Sequence, residues 1–460
     1  MKKLDNIFHA QKIYFHKKII YSSVKDRINK IKSIRNWILK NEDLIYSTCV
    51  RDYKKPIAEF NSTELNTVLQ HIKFTLANIN KWTSTKSVWA PIQLIGTRSR
   101  IYHEPKGVCL IISPWNYPFN LTLNPVISAI AAGNCVTVKP SEFTPHTSAL
   151  ILKMLSSLFS ESEVAVVEGG ADIGSYLINL KYDHIFFTGS PDVGKLVMRA
   201  ASKNLSSVTL ELGGRNHAVL GKSANIKDAV EKIMWSKFVN CGQTCIAVNH
   251  VFVHIDQYEK FILHAKIVLD NFFKNKSDFG EIVNSNHMNR LHKILNDAID
   301  YGANIEIQSS NGANNNKSVP LTILNNVSLE NPILHNEIFG PILPIIIYND
   351  FNSVIEFINQ DDKPLALYLF SKSKKEINYF LNSTSSGTVA INECMLQYAN
   401  PYLPFGGVNS SGLGKNGGKY GFLEFSNAKS VLFQMSGFSI AKLIYPPYSS
   451  LKQKITKMLR

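Results

Sequence analysis

The chain has 460 residues, 45% of them hydrophobic, and a formal net charge of +15. That length exceeds what one hydrophobic core organises, so about two or three globular domains are expected. No run reaches the roughly 18 to 20 apolar residues of a membrane span, and the N-terminal MKKLDNIFHAQKIYFHKK interrupts its apolar residues with charge, so it lacks a secretory h-region and a cytoplasmic protein is expected. Six cysteines in so long a chain, with no CxxC pair, predict reduced thiols and no metal site. The Lys and Arg residues are spread along the chain without interleaved aromatic groups, which argues against nucleic acid. The basic excess suits anionic ligands such as a dinucleotide, or an acidic membrane surface.

In chain order, the first 75 or so residues read as helices: Ile28, Ile31, Ile34, Trp37 and Ile38 fall at helical spacing, and Leu65, Leu69, Ile72 and Leu76 repeat the pattern between Phe60 and Ile79. Their expected role is a packed helical cap. Ser87 to His103 is polar and interrupted by proline, which predicts an extended arm. From Gly107 apolar strand candidates (VCLII at 108–112, CVTVK at 135–139, VAVVE at 164–168, HIFFT at 184–188, SVTLEL at 207–212) alternate with helical segments. That alternation implies a doubly wound parallel sheet of α/β class, whose ligands bind at the carboxyl ends of strands. The rule selects the loops at 113–118, 139–142, 168–170 and 188–194.

From about Ser223 a second α/β domain begins, with a helix over Ala229–Phe238, the strand VNHVFVH at 248–254, helices near 258–273 and 288–301, and later strands VPLTIL, LPIIIY, ALYLFS and TVAIN. The polar loop at 311–318 carries no chemistry. The glycine-rich stretch at 403–421 cannot be regular structure throughout, and its glycines predict close approach of backbone to the active site. The tail after Tyr448 sets Leu451, Ile455, Met458 and Leu459 on one helical face, ringed by Lys452, Lys454, Lys457 and Arg460. Two readings stand: contact with an anionic membrane surface, or packing on the protein itself or a partner subunit, since so short a helix is marginal alone.

The chemistry is expected in FVNCGQTC, Phe238 to Cys245, where Gly242 and Gln243 leave the Cys245 thiol approachable. A second run, TLELGG, supplies a carboxylate, Glu211, at the end of an apolar strand. A nucleophile and a base are therefore both on offer.

Taken in order, PWNYPFN, VKPSE, FFTGSxxVG, LELGG, FxNCGQTC, EIFGP, FINxxxxPLALYLFS and LPFGGVNSSGxG resemble the aldehyde dehydrogenase superfamily, from roughly Gly107 to Ser426. The short N-terminus and the YPPY-containing tail are similar to the class-3-like branch that oxidises fatty and aromatic aldehydes. The resemblance implies three parts: a cofactor domain from residues 1–79 and 105–210, a catalytic domain from 211–425, and an oligomerisation arm and tail from 80–104 and 426–460. A homodimer is implied with it.

By the same resemblance Cys245 is the nucleophile, Asn116 and the Cys245 backbone N–H stabilise the oxyanion, and Glu211 activates water. A free thiol with a pKa of about 8.5 needs activation. Cys241 matches no catalytic position and is expected to be inert. Lys139 and Glu142 match the positions that hold the adenine ribose, and Glu337 with Phe339 those at the nicotinamide-side ribose. Trp115, Gly189, Ser190 and Gly194 complete the implied cofactor contacts, with Gly189 and Gly194 at a helix start where backbone N–H groups suit a pyrophosphate. An acidic group near the ribose 2′-hydroxyl favours NAD, with NADP tolerated. Relatives that pass the acyl group to coenzyme A typically lack a carboxylate at Glu211, so hydrolysis to a free acid is favoured. Arg215 stands where Lys is usual and His217 where Pro is common, departures expected to tune rather than abolish function. The alternatives are an acyl-transferring or semialdehyde-specific relative, or a non-catalytic protein that kept the fold.

Overall fold

Consecutive β-branched and aromatic residues suit a strand covered on both faces. The runs VCLII and CVTVK are of this kind. The computed structural model, which describes residues 1–272, 275, 278–309 and 319–458, sets them at the centre of a sheet. Six strands run in the order Gly412–Leu413, Ser207–Leu212, His184–Gly189, Val108–Ile112, Cys135–Lys139, Val164–Val166, all parallel except the first pair. Along Val108–Ile112 the period of two is plain in the packing. Val108 and Leu110 meet Leu4, Ile7 and Phe8 of the helix Lys2–Lys17. Cys109 and Ile111 face the opposite core, with Ile31, Ile34 and Ile38 of the helix Val24–Lys40 and Ile72 of Asn66–Thr83. The chain leaves Val108–Ile112 for the strand on one side and later returns to the other, so a crevice opens at its carboxyl end.

A second sheet has seven strands in the order Asn304–Gln308, Thr322–Asn325, Ile342–Tyr348, His250–His254, His217–Leu220, Ala366–Phe370, Thr388–Ile391, again parallel except the first pair. Two of these strands are not among the sequence expectations. His217–Leu220 is only four residues long, too short to show a period, although all four are buried. Asn304–Gln308 is an edge strand with half-exposed residues, so its apolar content is low. His217 takes its place through a hydrogen bond with His250, Nδ1 to Nε2 at 2.6 Å, and Arg215 forms an ion pair with Asp361.

A third sheet joins Lys86–Val88, Thr97–Pro105 and Ser426–Gln434, the last two paired antiparallel over nine residues. Its surroundings carry exposed apolar side chains, Trp89 at 92% and Ile92 at 75%. The tail helix is Ser450–Met458, with Leu451 exposed. Leu459, Arg460 and the loop at 311–318 lie outside the described residues. Among those described, no helix is long and apolar enough to cross a membrane.

Two departures bear on the site. The glycine-rich stretch does not stay with the second sheet: Gly412–Leu413 pairs with the strand bearing Glu211, and the helix Gly418–Glu424 sends Phe422 into the core of the first. The helix expected from Phe60 to Ile79 is interrupted at Asn61–Leu65 by a π turn, which carries Glu64 into the interior.

Candidate active site

The helix Ile226–Phe238 ends in a tight reversal. Asn240, Cys241 and Gly242 have φ of 54°, 53° and 73°, three consecutive residues in the left-handed region. For a non-glycine residue that costs of order 1 kcal/mol or more, so surrounding contacts must impose it. One such contact is visible at Gly242, where a Cβ would lie 2.3 Å from the Gly340 carbonyl oxygen. Gly242 thus lets the Cys245 loop lie directly on the loop bearing Glu337 and Phe339, while a Cβ at Gly340 would run into Leu291 of the helix Ser285–Asp300. Of the six cysteines Cys245 is half-buried and the other five are buried. Cys241 points away from any cavity described, donating to the Gly280 carbonyl at 3.2 Å.

Cys245 opens onto a cavity of about 290 Å³ at the crevice of the first sheet, lined also by Trp115, Asn116, Gly189, Ser190, Glu211, Glu337 and Phe339. Eight of the sequence-predicted residues therefore meet in one place. Lys139 and Glu142 stand outside it at the end of the strand Cys135–Lys139, joined Nζ to Oε2 at 2.5 Å. Gly194 is not on the cavity wall. It lies inside the helix Pro191–Ser202, its N–H is already engaged with the Ser190 carbonyl at 2.9 Å, and a Cβ there would strike Leu212 at 2.8 Å. Its role is close helix–strand packing, and the residue at the helix start is Ser190, whose hydroxyl caps the Val193 N–H at 3.5 Å.

The walls also hold residues that no sequence pattern indicated. His287 and Arg290, from the helix Ser285–Asp300, also line the cavity. Arg290 reaches the Phe339 carbonyl at 3.4 Å, and the His287 and Phe339 rings pack on Trp115 with centroids 4.8 and 5.4 Å away. Nothing in a periodic reading distinguishes such a helix face from an ordinary solvated one.

On its other side Cys245 borders a small second cavity of about 20 Å³, lined mainly by Leu121, Pro125, Leu365, Tyr398 and Phe405 and shared with Glu211. Cys245 and Glu211 thus stand at the junction of a polar cleft and an apolar slot.

Burial governs the ionisation of the junction. It raises the Glu211 carboxyl to about 8, an effect that Glu424 reinforces and Lys415 opposes. Glu337 is raised to about 7 by burial, against the Gly214 N–H, Arg290 and Lys237. The Cys245 thiol is pushed up to about 12, first by burial and then by the charges of Glu337 and Glu211, while the N–H groups of Cys245 and Ile246 pull the other way. Lys237, 1% exposed, is lowered to about 7 by burial. Both carboxylate oxygens of Glu211 and one of Glu337 are buried without a hydrogen-bond partner. Such oxygens are costly unless a ligand or water supplies donors. The residues present fit a dinucleotide: a ribose hydroxyl would satisfy the free Glu337 oxygen, and Trp115 and Phe339 would flank a flat ring.

The family model for the aldehyde dehydrogenase family matches residues 4–431. The 4,4'-diaponeurosporen-aldehyde dehydrogenase of Staphylococcus aureus is 38% identical over 455 residues, covering 97% of each chain. Mouse aldehyde dehydrogenase family 3 member A2 is 35% identical, covering 93% of this chain and 88% of its own. The solved Staphylococcus aureus AldH, in a substrate-bound state, superposes with a TM-score of 0.94 at 37% identity, covering 99% of both chains. The chain belongs to the aldehyde dehydrogenase family and is an oxidoreductase of its NAD(P)-dependent class.

Proposed function

We propose that this enzyme oxidises an apolar aldehyde, medium- or long-chain aliphatic or aromatic, to the carboxylic acid, with NAD preferred and NADP tolerated. The observation that carries the reading is the junction itself, where Cys245 and Glu211 border both the polar cleft and the apolar slot. An aldehyde entering from the slot side presents its carbonyl to Cys245. The thiol gives its proton to solvent water in the cleft and the sulfur adds to the carbonyl carbon, sending the C=O electron pair onto oxygen. Asn116 Nδ2 and the Cys245 N–H receive that oxyanion. When bound, the dinucleotide supplies the hydride acceptor. Oxidation leaves the acyl group as a thioester on Cys245. Glu211 in its ionised form takes a proton from water, the resulting hydroxide adds to the thioester, and the C–S bond breaks to release the acid and the thiolate.

Several features support the finer points. The carboxylate at Glu211 favours water as the acyl acceptor. Glu142, held by Lys139, places an acidic group where an adenine-ribose 2′-phosphate would be repelled. Among solved neighbours of the same fold at 24% identity, a Bacillus cereus aldehyde dehydrogenase was determined with NAD+ and a Methanocaldococcus jannaschii glyceraldehyde-3-phosphate dehydrogenase with NADP. Most of the slot's wall is apolar, with Thr188, Glu211 and Asn416 the polar exceptions, which suits a hydrocarbon substituent rather than an anionic one. The Staphylococcus aureus relative is itself named for an aldehyde, 4,4'-diaponeurosporen-aldehyde.

We further propose a cytoplasmic homodimer assembled through the exposed third sheet, with the basic tail able to rest on an anionic membrane. Pelleting with anionic liposomes, with and without residues 446–460, decides the last point, since equal pelleting removes the tail from it. The function is tested by NADH or NADPH formation with aldehydes from acetaldehyde to hexadecanal, benzaldehyde and 4,4'-diaponeurosporen-aldehyde. A specificity constant that rises with apolar size and is higher with NAD is expected. Turnover confined to charged semialdehydes, or dependent on coenzyme A or phosphate, would replace the reading.

A further inference from the structure

The candidate oxyanion donor is held from the N-terminal region, where the helical pattern suggested only packing. The main-chain carbonyl of Asn116 accepts from three side chains: Tyr53 OH at 2.6 Å, Asn240 Nδ2 at 2.9 Å and Lys55 Nζ at 3.3 Å. A carbonyl oxygen has two lone pairs, so three donors exceed what satisfying it requires. The arrangement fixes its position. All three side chains are buried, and Lys55 is the most unusual of them, 3% exposed with its Nζ 2.7 Å from Glu64 Oε1 and 4.0 Å above the Tyr117 ring.

Glu64 extends the grip along the same segment. Its second oxygen accepts the N–H groups of Phe119 at 2.8 Å and Asn120 at 3.3 Å, where the helix Asn120–Ala132 begins. One ion pair therefore holds the stretch from Asn116 to Asn120 at both ends. A buried ion pair is a weak source of stability, since an apolar pair of similar volume often does as well. Its geometric effect is more specific. Asn116 Nδ2 donates to the Gln243 carbonyl at 3.0 Å, two residues before Cys245, which engages one of its two N–H groups and leaves the other for the cavity that Asn116 and Cys245 share.

We propose that Lys55, clamped by Glu64, is a positioning residue that aims the free N–H of Asn116 at the oxygen of the aldehyde under attack. Neither Lys55 nor Glu64 lines either cavity that borders Cys245. The inference rests on reading Asn116 as the oxyanion donor.

The test is a double-mutant cycle read by the pre-steady-state rate of NADH formation, with Lys55→Met, Lys55→Arg, Tyr53→Phe and Asn116→Ala, each Lys55 and Tyr53 change also being made in the Asn116→Ala background. Lys55→Met is expected to slow the first turnover by about tenfold to a hundredfold with little change in aldehyde KM, and Lys55→Arg to recover part of the loss. In the Asn116→Ala background the same change should cost almost nothing further, because the group it positions is gone. Alkylation of Cys245 by iodoacetamide, which involves no oxyanion, should keep its rate. If Asn116→Ala leaves the first turnover unchanged, the donor reading falls and the positioning role with it. If Asn116→Ala slows it but the Lys55 and Asn116 effects multiply, or alkylation slows in parallel with turnover, the donor reading stands and the positioning role is overturned. Should Lys55→Met fail to fold, as judged by thermal unfolding, Tyr53→Phe removes only one hydroxyl and carries the same cycle.

Discussion

The two cavities that meet at Cys245 differ in kind. The larger is walled by carboxylates, an arginine, a histidine, backbone turns and two aromatic rings; the smaller is walled chiefly by Leu121, Pro125, Leu365, Tyr398 and Phe405. The contrast teaches what each ligand demands. A dinucleotide is matched atom by atom, so particular residue types must recur at particular spacings. A hydrocarbon is matched by volume, which many combinations of apolar residues fill equally well. Cys245 and Glu211 belong to both walls, and changes there should affect both.

The largest effect is expected from Cys245→Ala. Oxidation should fall by at least about 10⁴-fold, since no other group near the junction can form and release the acyl bond. Dinucleotide binding, followed by quenching of protein fluorescence, should persist because the polar wall is intact. Cys241→Ala should retain turnover. Residual oxidation by Cys245→Ala at more than about 1% would move the nucleophile elsewhere.

Glu211→Gln should separate the two half-reactions. A burst of about one NADH per site is expected, followed by a stall roughly 10²- to 10⁴-fold below the parent rate as thioester accumulates. Water activation needs the ionised carboxylate, so where hydrolysis limits the parent enzyme its rate should rise with pH through about 8, and the variant should lose that rise. Stability runs the other way. Between its ordinary 4.5 and about 8 the folded Glu211 holds a proton that the unfolded chain has released. The folded state is therefore favoured at the acid end of that window and loses a contribution of order a few kcal/mol as pH rises across it. The neutral amide has no such slope, so Glu211→Gln should unfold at a higher temperature than the parent at pH 9 and near the same temperature at pH 5. A variant no more stable at pH 9 would mean that the carboxylate is well solvated in the folded enzyme.

The same contrast explains what could be read from the chain. The strand Val108–Ile112 is legible because burial on both faces leaves an unbroken apolar run, and Cys135–Lys139 and Ser207–Leu212 because Val136 and Val138, and Val208, Leu210 and Leu212, recur at alternate positions. Glu211 is legible at the end of an apolar strand and Cys245 beside Gly242, which the Gly340 carbonyl keeps free of a side chain, whereas Asn116, Glu337 and Phe339 are legible only through the family motifs PWNYPFN and EIFGP. His217–Leu220 is illegible because four residues carry no period, and the close approach of Gly194 to Leu212 is illegible because a glycine needed for helix–strand contact looks the same in sequence as one needed at a phosphate. Lys55 and Glu64 were illegible for a stronger reason. Charged residues in a helical region are normally solvated, and only the π turn at Asn61–Leu65 and the fold around Asn116 bury this pair.

The smallest effect, and the sharpest on the contrast itself, is expected at Tyr398. Its ring meets Phe405 edge-on at 4.8 Å, its hydroxyl donates to Asn120 Oδ1 at 3.3 Å and also engages Asn124, and it stands in the slot but not in the cleft. Tyr398→Ala therefore enlarges the apolar side alone. Selectivity for hexadecanal over hexanal should shift by about tenfold, the range that a change in a hydrophobic pocket supplies, while the dissociation constant for NAD stays within about twofold. Tyr398→Phe keeps the ring that walls the slot and should leave chain-length selectivity nearly unchanged. If Tyr398→Ala weakened NAD binding as much as it altered chain-length selectivity, the two walls would have to be treated as one mechanical unit, with Leu121, which borders both cavities, as the side chain that couples them.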